Sequence, residues 1–172
     1  VFDASNTRIF GSSGNREDEL RAGVLFTRNT ALRGGALAMT GSTVRGALNF
    51  GSAGRGIILD NEASQSGGGV YIGVAGDGVA TLRNLDIIGC SSSGANLAPA
   101  DGGGGLYVGG SFVEKSPAFI GDCLFRNNQA RGWGGGVLTR NADLRFEKFT
   151  QVQVYKSNPE KPKETIVVLE DL

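Results

Sequence analysis

The sequence predicts an all-β chain folded as a right-handed parallel β-helix of about four coils, closed by a C-terminal pair of strands. Three observations lead there. Four times a glycine run ends directly in an aliphatic residue: Gly34-Gly35-Ala36-Leu37, Gly67-Gly68-Gly69-Val70, Gly102-Gly103-Gly104-Gly105-Leu106 and Gly134-Gly135-Gly136-Val137. Those aliphatic residues stand 33, 36 and 31 positions apart, and self-similarity at such a period marks a repeat protein. The chain is also hostile to helices, with 29 glycines in 172 residues. Only Glu17 to Leu25 suggests so much as a helical turn.

Each unit opens on a short apolar element. Phe26-Thr27-Arg28-Asn29-Thr30-Ala31 aligns with Ile58-Leu59-Asp60-Asn61-Glu62-Ala63 and with Phe125-Arg126-Asn127-Asn128-Gln129-Ala130. The third copy, Ile87-Ile88-Gly89-Cys90-Ser91-Ser92, is degenerate. After the glycines the pattern has a period of two: Leu37 and Met39 alternate with Ala38, Val70 and Ile72 with Tyr71, Leu106 and Val108 with Tyr107, Val137 and Thr139 with Leu138. That alternation is a strand signal. A further strand follows in each unit: Thr43-Val44 through Phe50, Val79 through Leu85, Phe112-Val113 with Phe119-Ile120, and Leu144 through Phe149.

Short strands repeated in tandem predict coils stacked on coils. Equivalent aliphatics then recur every ~4.8 Å along the axis and form a continuous core. The Asn at each corner is expected to take left-handed backbone geometry and to bond its counterpart one coil away, as an Asn ladder. Glycine permits a sharp turn at positive φ. The third copy carries about seven extra residues within Ser91 to Asp101, small, polar and Pro-containing, which predicts a protruding loop. Cys90 and Cys123 are 33 residues apart but about five out of register in this alignment, so free, partly buried thiols are expected.

Glycine stops after Gly136, and lysine becomes frequent from residue 148. Residues 1–150 therefore read as repeats, and 151–172 as two strands joined by a polar loop. That pair either caps the open end of the helix or begins another module. The chain opens at Val1 in what reads as the middle of a repeat, as a piece of a longer polypeptide would.

Net charge is zero, which argues against nucleic acid, and no apolar run approaches the roughly 18 residues of a membrane span. Histidine is absent, removing the commonest general base and metal ligand. Neither a catalytic residue, a metal ligand nor a cofactor is assigned, and the glycine runs are not phosphate loops, lacking Gly-Lys-Ser/Thr. Arg28 with Arg126, and Arg33 with Arg131, are read as shared repeat positions, most simply solvated surface. Asp60 and Glu62 share a corner, Asp77, Asp86 and Asp101 are scattered, and Gly76-Asp77-Gly78 reads as a turn. The candidate binding residues are aromatic. Tyr71 and Tyr107 follow the first aliphatic after the glycines, so they point outward on neighbouring coils and stack, as a platform for sugar rings or a partner's side chain. Trp133, in Gly132-Trp133-Gly134, is placed at a turn and is the third candidate.

Phe26-Thr27-Arg28-Asn29 with Gly34-Gly35-Ala36-Leu37, and Phe125-Arg126-Asn127-Asn128 with Gly134-Gly135-Gly136-Val137, form a tandem Phe-x-x-Asn…Gly-Gly-Ala-aliphatic pattern. It resembles the middle repeats of the chlamydial polymorphic outer membrane proteins and related autotransporter passenger domains, over roughly residues 20–140. Ile58 and Ile87 depart from the motif in place of Phe, and Cys90 in place of Asn. The resemblance implies a right-handed β-helix, an extracellular or cell-surface location, and adhesive or scaffolding work without a shared catalytic residue. The expected function is thus a structural, adhesive module. It presents loops and an outer sheet face to a protein or glycan partner, or to neighbouring copies in a filament. The alternative is a polysaccharide lyase or glycosidase. An enzyme would gather three or more of Arg28, Asp60, Asp86, Arg126 and Asp101 around one substrate position, whereas a scaffold would disperse them.

Overall fold

A computed structural model describes residues 22–41, 45–49, 55–74, 79–93, 102–109, 116–147, 150–157 and 165–171. All its regular structure is β, and within the coils every strand pairing is parallel. The first coil contributes β1 (Ala22–Thr27), β2 (Thr30–Arg33), β3 (Leu37–Gly41) and β4 (Arg45–Asn49). The second holds β5 (Arg55–Leu59), β6 (Glu62–Ser66) and β7 (Val70–Val74), leading into β8 (Val79–Ile88). Next come β9 (Ser91–Ser92), β10 (Leu106–Gly109) and β11 (Ser116–Arg126), followed by β12 (Gln129–Ala130), β13 (Val137–Arg140) and β14 (Ala142–Phe146). The chain ends in β15 (Gln151–Ser157) and β16 (Thr165–Asp171).

Strands at equivalent repeat positions stack into three sheets: β1-β5-β8-β11-β15-β16 with β4 and β14 attached, β2-β6-β9-β12, and β3-β7-β10-β13. This is a parallel β-helix. Ala22 to Leu25 extend β1 rather than forming a helical turn, because their edge pairs with Arg55 to Ile57 on the next coil.

The register converts the sequence repeats into columns. Leu37, Val70, Leu106 and Val137 lie side by side, with Met39, Ile72 and Val108 beside them. On the first sheet Phe26, Ile58, Ile87, Phe125 and Val152 form a second column. Ile58, Val70, Ile72, Ile87, Leu106, Val108 and Phe125 are at most 1% exposed and form one continuous core. The third sheet contributes the small column Ala31, Ala63, Ser92, Ala130. Ser92 Oγ is the one buried side-chain polar atom among the described residues without a partner. Ser91 and Ser92 thus belong to a strand, not to the predicted loop, and Ser93 still bonds the Ala63 carbonyl; residues 94–101 lie outside the described set.

The last strand of one repeat and the apolar opening of the next are one element, which the sequence reading separated. β8 and β11 run 10 and 11 residues, bent at Asn84 (φ 55°) and Asp122 (φ 49°). The first half of β8 pairs with β4 and the second with β5. Asn and Asp accept left-handed geometry more readily than other side chains, so a strand turns there without glycine.

Two corners govern the stacking. At the first, the left-handed residue is not the ladder position but its predecessor: Arg28, Asp60, Gly89 and Asn127, with φ of 54°, 52°, 65° and 55°. The following column, Asn29, Asn61, Cys90 and Asn128, points inward. Asn61 Oδ1 accepts from both the backbone N–H and the amide of Asn29 at 2.9 Å. The Asn61 amide donates to the carbonyls of Phe26 and Leu59 at 3.0 Å. Asn128 accepts from the Cys90 N–H at 2.9 Å and donates to the Ile87 carbonyl at 2.8 Å. At Cys90 a thiol takes the amide's place: it donates weakly to the carbonyls of Ile58 and Ile88, at 3.7 and 3.5 Å, and Asn61 bonds it through both backbone and side chain. Both cysteines are free and fully buried. Cys123 pairs with Leu85, five residues before Cys90, as the alignment requires.

At the second corner the glycines stack turn upon turn. Gly34, Gly67, Gly103 and Gly134 all sit at φ between 61° and 66°. Backbone N–H groups of Gly35, Gly68 and Gly104 donate to the carbonyls of Gly67, Gly103 and Gly134. A Cβ on Gly68 would drive into the carbonyl oxygens of Ser91 and Gly104. Next along, Ala36 shares its column with Gly69, Gly105 and Gly136, but no described coil precedes it.

Three outcomes follow. Gly68→Ala, which needs a backbone shift, should cost about 3 kcal/mol in urea unfolding, while Gly135→Ala, whose Cβ would stand 3.0 Å from the Asn128 carbonyl oxygen, should cost distinctly less. Asn61→Ala strips four hydrogen bonds from a site 1% exposed and should cost about 3 kcal/mol in the same assay. Burial pushes the Cys90 thiol up to about 11 from an ordinary 9.0. In the unfolded chain the thiol ionises near the ordinary value while the folded one stays neutral, so stability falls as pH rises from about 9 to 11, by roughly 2–3 kcal/mol. That slope should be absent from unfolding curves of Cys90→Ala.

Candidate functional site

Outward side chains obey the same columns as the core. On the outer face of the β3-β7-β10-β13 sheet, Ala38, Tyr71, Tyr107 and Leu138 are neighbours in register. The two tyrosine rings stack with centroids 5.0 Å apart and planes 2° from parallel, the spacing of adjacent coils. Each ring lies over the glycine two residues on: a Cβ at Gly73 or Gly109 would meet the Cε1 of Tyr71 or Tyr107 at 2.6 Å. Above Tyr71 the column continues with Ala38, which leaves room, and the Arg33 guanidinium fills it 5.5 Å from the ring centroid. Gln65 Oε1 accepts from Arg33 Nε at 3.0 Å and orients it. A cation over a tyrosine face contributes about 0.5–1 kcal/mol at an exposed site.

The stacking was expected; the exposure differs from expectation. Tyr107 is only 7% exposed, because rings stacked along the axis cover each other's faces. Tyr71 is half-buried under Arg33. Trp133 is 70% exposed and stands opposite Gly102, which in turn stands opposite Ser66, the partner of Arg33. Arg33, Ser66, Gly102 and Trp133 thus form one column along the glycine corner, immediately before the sheet that carries the tyrosines. Arg33 therefore shares its position with Trp133. Arg131 instead follows Ala130 along the neighbouring strand, its N–H bonded to the Ser92 carbonyl. Likewise Arg126 stands beside Ile88, and the position of Arg28 is taken in the fourth copy by Asn127. The two expected arginine rows do not exist.

Arg28, Asp60, Asp86 and Arg126 fall on four successive coils, so the two arginines are separated by ~14 Å along the axis. That spread exceeds hydrogen-bonding reach of one substrate position. Asp77 and Asp101 lie outside the described residues. No group of three His, Cys, Asp or Glu residues suited to a metal occurs among the described residues, nor any helix long and apolar enough to cross a membrane.

The register also exposes what alternation alone hid. On the second facet of the first sheet, Leu25, Ile57, Asp86 and Leu124 form one outward column and Thr27, Leu59, Ile88 and Arg126 the next. Five aliphatic side chains therefore face outward, Leu25 at 43% exposure. The adjoining facet is ionic instead: Arg83 reaches over the bare Gly121 to Glu147 at 2.7 Å, and Arg145 pairs with Asp143 at 2.8 Å while covering Phe119. The signal for the apolar facet was present as adjacent apolar residues, Ile57-Ile58-Leu59 and Ile87-Ile88, which a half-buried strand does not need.

Residues 122–140 match the model of the Chlamydia polymorphic membrane protein repeat. No curated protein and no solved structure matches the chain. The matched segment runs from the Asp122 bend through the Asn128 ladder position and the Gly134 corner to the end of β13, so it spans both corners of one coil. Over those residues, one coil of the helix, the chain is similar to the repeat of the Chlamydia polymorphic membrane proteins.

Proposed function

We propose that the chain is a structural and adhesive surface module, presenting its glycine corner and the adjoining sheet face to a protein or glycan partner without performing catalysis. The observation that carries this reading is Trp133, 70% exposed on a corner whose backbone is fixed by hydrogen bonds from coil to coil. A large aromatic held out on a rigid support is an efficient contact residue, because little ordering cost remains at binding. The Arg33–Tyr71–Tyr107 stack stiffens the neighbouring sheet and offers a guanidinium and the half-buried Tyr71 beside it. Dispersal of Arg28, Asp60, Asp86 and Arg126 over successive coils favours a contact surface over a polysaccharide-cleaving site.

Beads carrying the purified chain should adhere to an array of immobilised glycans and proteins. Trp133→Ala should weaken that adhesion on the order of tenfold, the effect of losing about 1.4 kcal/mol from a contact residue. Arg126→Ala, on the far sheet, should leave it unchanged. Equal adhesion by wild type and Trp133→Ala would remove this corner as the contact site.

A further inference from the structure

We propose that two copies of this chain join edge to edge through β16, in a two-fold antiparallel pair centred on Val168. The hairpin is the one place where the described strands reverse direction. β15 continues the first sheet, with Gln151 and Val152 parallel to Leu124 and Phe125. β16 then folds back on it antiparallel, from Gln151 opposite Asp171 to Ser157 opposite Thr165. Among the described residues β16 is the last strand of that sheet, paired on one side only. Its other side is a row of backbone donors and acceptors, the template to which a further strand adds.

Three features select a second copy as the strand that adds. Thr165-Ile166-Val167-Val168-Leu169 are strong strand formers, and no Pro or Gly interrupts β16. Antiparallel pairing about Val168 sets Thr165 opposite the partner's Asp171, Ile166 opposite the partner's Glu170, and Val167 opposite the partner's Leu169, so no two acids meet. Parallel in-register pairing would place Glu170 and Asp171 against their own copies, which is unfavourable. The reversal in the hairpin also matters: the partner's β16 runs parallel to β15, and one sheet continues through the two-fold axis. Such an isologous contact uses both edges at once and stops at two copies, whereas a head-to-tail contact propagates. A seven-residue ladder is a small interface, so the pair is concentration-dependent. This inference rests on strand geometry and is independent of the contact role given to Trp133.

Sedimentation equilibrium on the full chain tests it. Rising concentration should carry the average mass from one chain to two and no further. Val168 faces its own copy across the axis, so Val168→Lys and Val168→Asp should each raise the dimer dissociation constant at least tenfold. An equal mixture of the two variants should restore pairing, which a merely unfolded hairpin would not do. A wild type that remains a single chain overturns the proposal. So does growth past two copies, dimerisation of either variant at wild-type strength, or a mixture that fails to recover.

Discussion

Everything in this fold answers to a fixed distance between coils. Strands hydrogen-bonded side by side lie ~4.8 Å apart, and a coil that closes on itself must keep that spacing around its whole circuit, corners included. On a flat sheet this is easily met. At a corner the backbone turns, and whatever projects inward meets the corner above. The second corner resolves the conflict by removing side chains: Gly68 has carbonyl oxygens of two neighbouring segments where a Cβ would stand. The first corner resolves it by making the inward group useful. Asn61 spends its amide on the backbone of its own coil and the adjacent one, so a buried polar side chain becomes a strut.

Cys90 shows what the ladder tolerates. Its thiol is small enough for the column and apolar enough to be buried, and it combines two long, weak contacts to carbonyls with hydrogen bonds to Asn61 on the adjacent coil. Asn128 still bonds the Cys90 N–H, so the ladder passes through this coil with sulfur in place of an amide. This substitution falls in the repeat that also carries the extra residues before Gly102 and the unpartnered hydroxyl of Ser92. Three departures from the repeat thus fall together in one coil.

The same periodicity shapes the surface. Outward positions recur at coil spacing, so like groups meet whether or not contact benefits them. Tyr71 and Tyr107 gain from it, stacking nearly parallel, and Arg33 closes the stack where Ala38 leaves a gap. Arg83 gains by reaching across Gly121 to Glu147 two coils away. Both are modest in energy, since exposed ion pairs are typically worth under ~1 kcal/mol. Their effect is geometric: they hold long side chains down on the sheet and leave Trp133 as the prominent aromatic on its corner.

The amino-acid sequence by itself determined the repeat, the all-β class, the core columns and the outward stacking of the tyrosines, because each depends on identity recurring at a fixed interval. It also placed Cys90 and Cys123 in different columns. What it misassigned depended on how the chain bends between those intervals. The left-handed residue sits before the Asn, since the amide must face inward to reach the next coil. The strands before and after Asn84 are one element, because a single left-handed residue bends a strand without ending its pairing. Arg28 and Arg126 part company, and Arg33 joins Trp133, because register is set by hydrogen bonds across coils and shifts at a bulge such as that between Ala31 and Arg33. The burial of Tyr107, the apolar facet around Ile57 and Ile88, and the reversal at β16 were left to the tertiary structure. Each depends on which neighbour a coil acquires, and that neighbour stands some thirty residues away in the chain but only one strand away in space.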